Sequence, residues 1–266
     1  MALNLNRALA GLKKQQLFIP VLRAAMANPK FKSFWIEVEG WQKSTRSWDG
    51  YFHPSTHGDW TARQLTYLLK HGADVPREPP ALEFVMAVTQ GKFWHRIIQQ
   101  IGLDEGLLRE QPGTTAADDI ETRVEVPLRD EYHNLIGHAD GEMATAEDEL
   151  FELKTMNDMK IKKYTSEDVL RELNPFGYWE QTQDYLMISG KAKSRYMIVS
   201  MASPFPMQEF LVHADPEFQA GQRAKYREAI VATQEGWLPE PCCVLGSAKA
   251  TSCPVREFCP MGGIAR

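Results

Sequence analysis

The strongest constraint on this chain is a change of hydrophobic period between residues 123 and 155. Upstream, Leu82, Val85, Met86, Phe93, Trp94, Ile97 and Ile98 recur at helical spacing over 81–101. Gly91 weakens the middle of that run and predicts two helical pieces. Downstream the pattern alternates. Residues 123–128, 135–143 and 150–155 read as strands, separated by polar turns at 129–134 and 144–149. Three short strands with tight polar connections predict an antiparallel meander. Asn174-Pro175 resembles a cap with proline at the first helical position, opening a helix to about Ser189. Residues 195–201 and 207–214 read as further strands, and Asp215-Pro216 opens a last long helix to about Glu235. Helix, three strands, helix, strand, strand, helix is the order of a mixed α/β fold.

Around this core the sequence predicts two flanking regions. Residues 1–80 read as a helical and irregular accessory region, 81–238 as the core, and 239–266 as a cysteine-containing segment packed on the core. Trp35, Trp41 and Trp48 are expected to pack the N-terminal region, with base stacking as the other reading. Residues 53–60 read as a loop in which Ser55 or Thr56 caps a helix over 61–71, and 72–80 as a linker.

Thirty basic against thirty-five acidic residues leave a net charge of −5. That argues against coating nucleic acid or membrane by bulk charge and leaves room for a local basic groove. No stretch approaches the roughly 18 apolar residues of a membrane helix, and the first lysines follow the mildly apolar start, unlike a signal peptide. A cytoplasmic protein is expected. All four cysteines fall between Cys242 and Cys259, a clustering that in a reducing compartment points to metal rather than to disulfides.

The chemistry concentrates in Gly137-His-Ala-Asp140-Gly and, twelve residues after Asp140, Glu152-Leu153-Lys154. Adjacent strands lie about 4.8 Å apart. Asp140 and Glu152 can therefore share one hard cation such as Mg²⁺ or Mn²⁺. Glu152 and Lys154 are two apart and leave the same strand face, while Phe151 and Leu153 point into the core. Gly141 is expected to leave backbone space for a phosphate, and His138 to serve in packing or as support for the site. Phosphodiester hydrolysis needs an activated water and charge neutralisation at phosphorus, which a carboxylate-held cation supplies. Lys154 can orient or deprotonate the water, or be no more than a salt-bridge partner.

Asp140 with Glu152-Leu-Lys154 resembles the core of the PD-(D/E)XK nuclease superfamily. Gly91-Lys-Phe-Trp-His95 resembles the GxxxH motif of its RecB-type and phage exonuclease branch, and Gln181-Thr-Gln-Asp-Tyr185 resembles that branch's QxxxY motif. The resemblance covers about residues 91–200. It implies a restriction-endonuclease-like core of helix, three-stranded meander, helix and strand. It also implies His95, Asp140, Glu152 and the Leu153 carbonyl as metal ligands, Lys154 positioning water, and Gln181 and Tyr185 ordering the site and contacting DNA. Gln183 is the alternative to Gln181, and plain core packing the alternative for Tyr185. Lys160, Lys162 and Lys163 are candidate phosphate contacts or a solvated face.

Cys242, Cys243, Cys253 and Cys259 end in a Cys-Pro-x-x-x-x-Cys run, similar to the C-terminal cluster of iron–sulfur nucleases of the CRISPR-associated and AddB types. In those a fourth, N-terminal cysteine completes a [4Fe–4S] site. Residues 54–63 resemble their N-terminal motif but contain no cysteine, and the spacing from Cys243 to Cys253 is longer. Three readings stay open: all four cysteines hold a cluster, three with His53 or His57 hold Zn²⁺ or a cluster, or the thiols are free and structural. The expected function is a metal-dependent deoxyribonuclease, an exonuclease of recombination, repair or phage DNA metabolism. A DNA-end-binding module with weak or no cleavage and a site-specific endonuclease are the alternatives. No GxxxxGK[ST] phosphate loop occurs, so a helicase or a single-strand annealing protein is an expected partner.

Overall fold

The computed structural model describes residues 16–27, 48–75, 82–156, 161–202 and 205–262. Trp35, Trp41 and Lys160 lie outside the described residues. The helices are α1 (Phe18–Ala27), α2 (Pro54–His57), α3 (Ala62–His71), α4 (Leu82–Asp104), α5 (Ile120–Val124), α6 (Glu167–Leu173), α7 (Tyr178–Ser189), α8 (Pro216–Glu235) and α9 (Ala248–Thr251). The strands are β1 (Val126–Asp130), β2 (Leu135–Ala139), β3 (Gly141–Glu142), β4 (Glu149–Met156), β5 (Lys193–Ser200) and β6 (Met207–His213). The expected mixed α/β fold is present. Among the described residues no helix is long and apolar enough to cross a membrane.

β1 and β2 form an antiparallel hairpin, and β3-β4-β5-β6 a separate four-stranded sheet in which β4 and β5 run parallel. The strand expected over 135–143 is thus two strands in two sheets, broken at Asp140. The break has a local cause. The Asp140 carbonyl accepts from Gln99 Nε2 at 2.9 Å, and its carboxylate accepts from the Leu153 N–H at 2.7 Å. A side-chain bond replaces the ladder bond there, and backbone pairing resumes at Gly141 opposite Phe151. Residues 123–124 close α5 instead of opening a strand.

Helices cover both faces of β4 and β5. Phe151, Leu153, Met197 and Val199 pack on Phe18 and Leu22 of α1 and on Trp94 and Ile98 of α4. Met156, Tyr196 and Ile198 face Leu170 of α6 and Trp179 of α7. Glu152 and Lys154 alternate with Phe151 and Leu153, and so belong to the α7 side. The parallel β4–β5 step is crossed by α6 and α7, as parallel pairing requires.

α4 runs unbroken for 23 residues through Gly91. A side-chain carbon at Gly91 would stand 3.0 Å from Thr155 Oγ1 of β4. The glycine lets the helix cross close over the strand, and that packing offsets its cost of about 1 kcal/mol. The cap of α3 is Thr61, in a reciprocal box with Gln64, whereas Ser55 and Thr56 lie inside α2. α7 begins at Tyr178 instead of after Asn174. Asn174 closes α6 with φ 30°, and its Oδ1 accepts from the Trp179 N–H at 3.0 Å. Phe176 at φ 58° prevents a continuous helix from Pro175. Trp48 packs on Phe52, as its packing reading expects.

α1 is anchored by a buried anion. Glu209 on β6 accepts the backbone N–H groups of Leu17 at 2.8 Å, Phe18 at 2.9 Å and Ile19 at 2.9 Å, and Arg195 Nη1 donates to it at 2.8 Å. Four donors satisfy one carboxylate at a helix N-terminus, where negative charge is favoured.

Asp184 is buried where α7 meets α8. Tyr226 donates to it, and so does Gln222 Nε2 at 3.1 Å. Burial pushes its carboxyl up to about 7, against the opposing pull of Lys225, Tyr226 and Gln222. An unfolded aspartic acid titrates near 3.9. Between roughly pH 4 and 7 the fold therefore keeps a proton that the unfolded chain has lost. Stability from this group falls as pH rises through that window and is level above it. Asp184→Asn is expected to remove the fall. Urea unfolding should give similar stabilities near pH 4 and a variant more stable at pH 8 by on the order of 2 kcal/mol. A variant weaker than the parent at pH 8 would contradict the sign.

Candidate active site

Four elements meet around the carboxylates. α4 delivers His95, whose Nδ1 lies 3.1 Å from Asp140 Oδ1. The break between β2 and β3 delivers Asp140. β4 delivers Glu152, 2% exposed, and Lys154, whose ammonium donates to Glu152 Oε1. α7 delivers Gln181, whose Nε2 donates to Glu152 Oε1 at 3.1 Å and to Tyr185 Oη at 3.2 Å. Tyr178 lays its ring 5.0 Å from Lys154 Nζ.

The charges are mutually held. Burial opposes a charged His95, but Asp140 outweighs it and holds the imidazole above its ordinary range. Burial likewise opposes a charged Asp140, yet His95 and Lys154 keep it below the usual carboxylate value. Glu152 is pushed up to about 7 by burial, with Lys154 pulling the other way. Lys154 pays a burial penalty that Glu152 and Asp140 overcome, so it stays a cation. In this state Lys154 carries a positive charge and is a poor proton acceptor.

The residues fit a divalent cation in donor chemistry. Glu152 Oε2 is buried with no hydrogen-bond partner, an acceptor that burial alone would penalise by about 1–3 kcal/mol. Leu153 turns its N–H toward Asp140. The N–H and C=O of one strand residue face the same edge, so its carbonyl faces that side too. The side chains nonetheless close on internal partners, Asp140 on His95 and Glu152 on Lys154. Among the described residues no three His, Cys, Asp or Glu side chains form a ready-made metal cage.

Several sequence expectations resolve here. Gln181 is the glutamine at the site. Gln183 instead ties α7 to the α8 entrance, donating to the His213 carbonyl at 2.8 Å and accepting from the Asp215 N–H at 2.9 Å. Tyr185 is both core and site: its ring packs with Leu128 and Leu186, and its hydroxyl receives Gln181. Gly141 opens no backbone space. It is buried against Leu108 and Val124, either of which would lie 3.2 Å from an added side-chain carbon. His138 is exposed on β2. Lys162 and Lys163 are exposed.

Two residues were not visible as site residues in the sequence. Gln99, one turn after His95 on α4, locks the Asp140 backbone. Glu125, just after α5, is pushed up to about 7 by burial, with Asp140 and Glu121 adding to the shift and His95 opposing it. Glu125 therefore belongs to the same acidic neighbourhood. The alternation of 123–128 drew it into a strand and hid it.

Gly137 is needed because a side-chain carbon there would stand 2.8 Å from the Tyr185 ring. Gly137→Ala is expected to displace Tyr185, release Gln181 from Glu152 and cost about 1–3 kcal/mol by overpacking. Thermal melting checks the stability. The double variant Gly137→Ala/Tyr185→Phe should recover little, because the clash is with the ring.

The four cysteines converge elsewhere. Cys242, Cys243, Cys253 and Cys259 line one cavity with Arg63, Gln64 and Tyr67 of α3, with about 10 Å³ of open volume, room for roughly one water. Gln64 Nε2 donates to Cys253 Sγ at 3.5 Å, and Arg63 contacts Cys259 while donating to the Pro239 carbonyl at 2.6 Å. Burial and the neighbouring thiols push the Cys243 thiol up. His53 and His57 do not line this cavity. His53 pairs with Asp49 at 2.9 Å, and His57 packs 4.8 Å from the Trp60 ring. Three cysteines with a histidine are thus not brought together. The four thiols line one cavity, but among the described residues they too form no ready-made metal cage.

No family model matches the chain, and no curated protein matches it. Among solved structures it is similar to an alkaline exonuclease, LHK-Exo, from Laribacter hongkongensis, at 13% identity over 70% of this chain and 89% of that one, with a TM-score of 0.45. It is also similar to a phage-related exonuclease from Haemophilus somnus 129PT, at 12% identity over 65% and 78%, with a TM-score of 0.41. The protein SSO0001 matches at 12% identity over 92% and 94%, with a TM-score of 0.41.

Proposed function

We propose that this chain is a Mg²⁺- or Mn²⁺-dependent deoxyribonuclease, an exonuclease of the PD-(D/E)XK superfamily acting in recombination, repair or phage DNA metabolism. The observation that carries the reading is the pair of buried carboxylates, Asp140 and Glu152, each paired with a half-buried cation, His95 and Lys154, with Glu152 Oε2 left unpartnered. Two buried carboxylates held by charged partners are weak evidence of a stabilising role, since apolar residues of similar volume often serve as well or better. Perturbed carboxylates at a site joined by four elements are the usual mark of function.

His95, Asp140, Glu152 and the Leu153 carbonyl would hold the cation. When bound, it supplies charge neutralisation at the scissile phosphate and a lowered pKa for water. Lys154, kept charged by Glu152 and Asp140, orients the attacking water and offsets the negative charge that develops at phosphorus. Gln181, itself bonded to Tyr185, fixes Glu152 Oε1 and leaves Oε2 for the cation. Lys162 and Lys163 would contact phosphates after β4. Without a phosphate-loop motor, the enzyme would work with a helicase or a single-strand annealing protein.

The test uses end-labelled linear duplex and closed circular DNA with Mg²⁺, Mn²⁺ or EDTA. Metal-dependent loss of the linear substrate, with circles spared, supports the exonuclease. Cut circles would indicate an endonuclease. Binding without cleavage in either metal would return the end-binding alternative.

We also propose that Cys242, Cys243, Cys253 and Cys259 together hold one metal centre, a [4Fe–4S] cluster or Zn²⁺, that joins the C-terminal segment to α3. Brown protein with visible absorbance after anaerobic purification distinguishes the cluster from colourless protein containing zinc.

A further inference from the structure

Among the described residues, four that are not glycine have left-handed backbone: Asn134, Asn174, Phe176 and Phe205. Asparagine accepts that conformation readily, but phenylalanine does not. Phe176 has φ 58° and is 74% exposed, the most exposed aromatic residue described. An unfavourable backbone that presents a large apolar ring to water is costly twice over. Such outliers persist where the surroundings over-determine them, and they cluster at functional sites.

The surroundings do over-determine this one. Asn174 Oδ1 accepts from the Trp179 N–H at 3.0 Å, and its Nδ2 donates to Glu180 at 2.6 Å. Gly177 follows at φ 69°, with Asp59 Cβ only 3.0 Å from where a side-chain carbon would stand. The ring of Phe176 is thus held out from both ends of its turn. Its position relative to the carboxylates is set by two steps: 5.7 Å from the Phe176 ring to the Tyr178 ring, then 5.0 Å from the Tyr178 ring to Lys154 Nζ. An exposed aromatic face therefore stands at the margin of the Glu152–Lys154 pair, on the α7 side.

We propose that Phe176 is a stacking post for a DNA base, holding the nucleotide next to the one whose phosphate reaches Lys154. The proposal rests on the nuclease reading and extends it to a residue that positions the strand. Base stacking on an aromatic side chain is tolerant of sequence, which suits an enzyme that must advance along any strand. Phe176 is a positioning residue here and takes no part in the bond-breaking step.

The experiment uses the full chain and oligonucleotides carrying 2-aminopurine at successive positions from one end, with Ca²⁺ in place of Mg²⁺ to report binding. Wild-type protein is expected to quench the fluorophore at one position. Phe176→Gly should abolish that quench and weaken Kd and KM for DNA by roughly tenfold, without lowering Tm, because glycine accepts the left-handed backbone. Phe176→Trp should restore the quench. A Tm that falls together with affinity would mean that the ring is a packing element, and the proposal would be wrong. Unchanged quench and KM in Phe176→Gly, with cleavage intact, would overturn the stacking role while leaving the nuclease reading in place, and would turn attention to a protein partner for the exposed ring. No binding and no Mg²⁺-dependent cleavage by the wild type would overturn both.

Discussion

Lys154→Ala is expected to reduce Mg²⁺-dependent hydrolysis of linear duplex DNA by roughly 10²–10³-fold, the scale of losing one electrostatic stabiliser of a transition state. Asp140→Ala should be at least as damaging, because it removes a proposed ligand, the partner of His95 and the carboxylate that holds the Leu153 N–H. Stability should move differently. Lys154→Ala alone strands Glu152, which can take up a proton at the neutral pH where it already titrates. The double variant Glu152→Gln/Lys154→Met neutralises that pair and leaves Asp140 with His95. It should be as stable as the parent or more stable in thermal melts, because a buried ion pair replaced by neutral groups is often neutral or stabilising. Inactive protein with an undiminished Tm is the signature of a site maintained for chemistry. Full activity in Lys154→Ala would eliminate the proposed mechanism.

The second large effect lies at the cysteine cavity. If the thiols hold the proposed metal, Cys253→Ser and Cys259→Ser are each expected to lose it and to lower Tm. A ligand that binds only the folded state contributes about 4 kcal/mol at a thousandfold excess over Kd. In a protein of this size about 1 kcal/mol corresponds to roughly 2–4 °C, so a fall on the order of 10 °C is expected. Anaerobic purification, metal analysis and scanning calorimetry together check it. Metal content and Tm equal to the parent in both variants would mean that these thiols are structural and free. Ser55→Ala, in α2 away from the cavity, is the control and should change neither.

Much of the site was legible because its residues are separated by fixed numbers along regular elements. Glu152 and Lys154 two apart on a strand, and Gln181 and Tyr185 four apart on a helix, had to share a face once the periods were identified. The cysteines were legible as a group, but the choice of ligand set was not. Only the fold reveals that His57 is enclosed by tryptophans while Arg63 and Gln64 reach the thiols. The break at Asp140 was hidden because hydrophobic alternation continues through it. Its cause is a side chain taking a backbone donor, which no periodicity encodes. Glu125 and Gln99 were missed for a related reason. Each is ordinary in its own segment and gains meaning only from α4 lying beside Asp140. Gly91 misled in the opposite direction: its helix cost is local, whereas the contact with Thr155 that offsets it is 64 residues away.

Glu209 carries a practical lesson for any shortened version of this protein. A truncation that begins after Ala27 would delete three of the four donors around a carboxylate sealed in the sheet, leaving Arg195 as the remaining partner. Trimming the chain to the candidate site would thus leave a carboxylate in the interior short of three of its donors, and a poorly soluble fragment would be the natural result. Glu209→Gln introduced alongside the cut is the change that would make such a fragment workable.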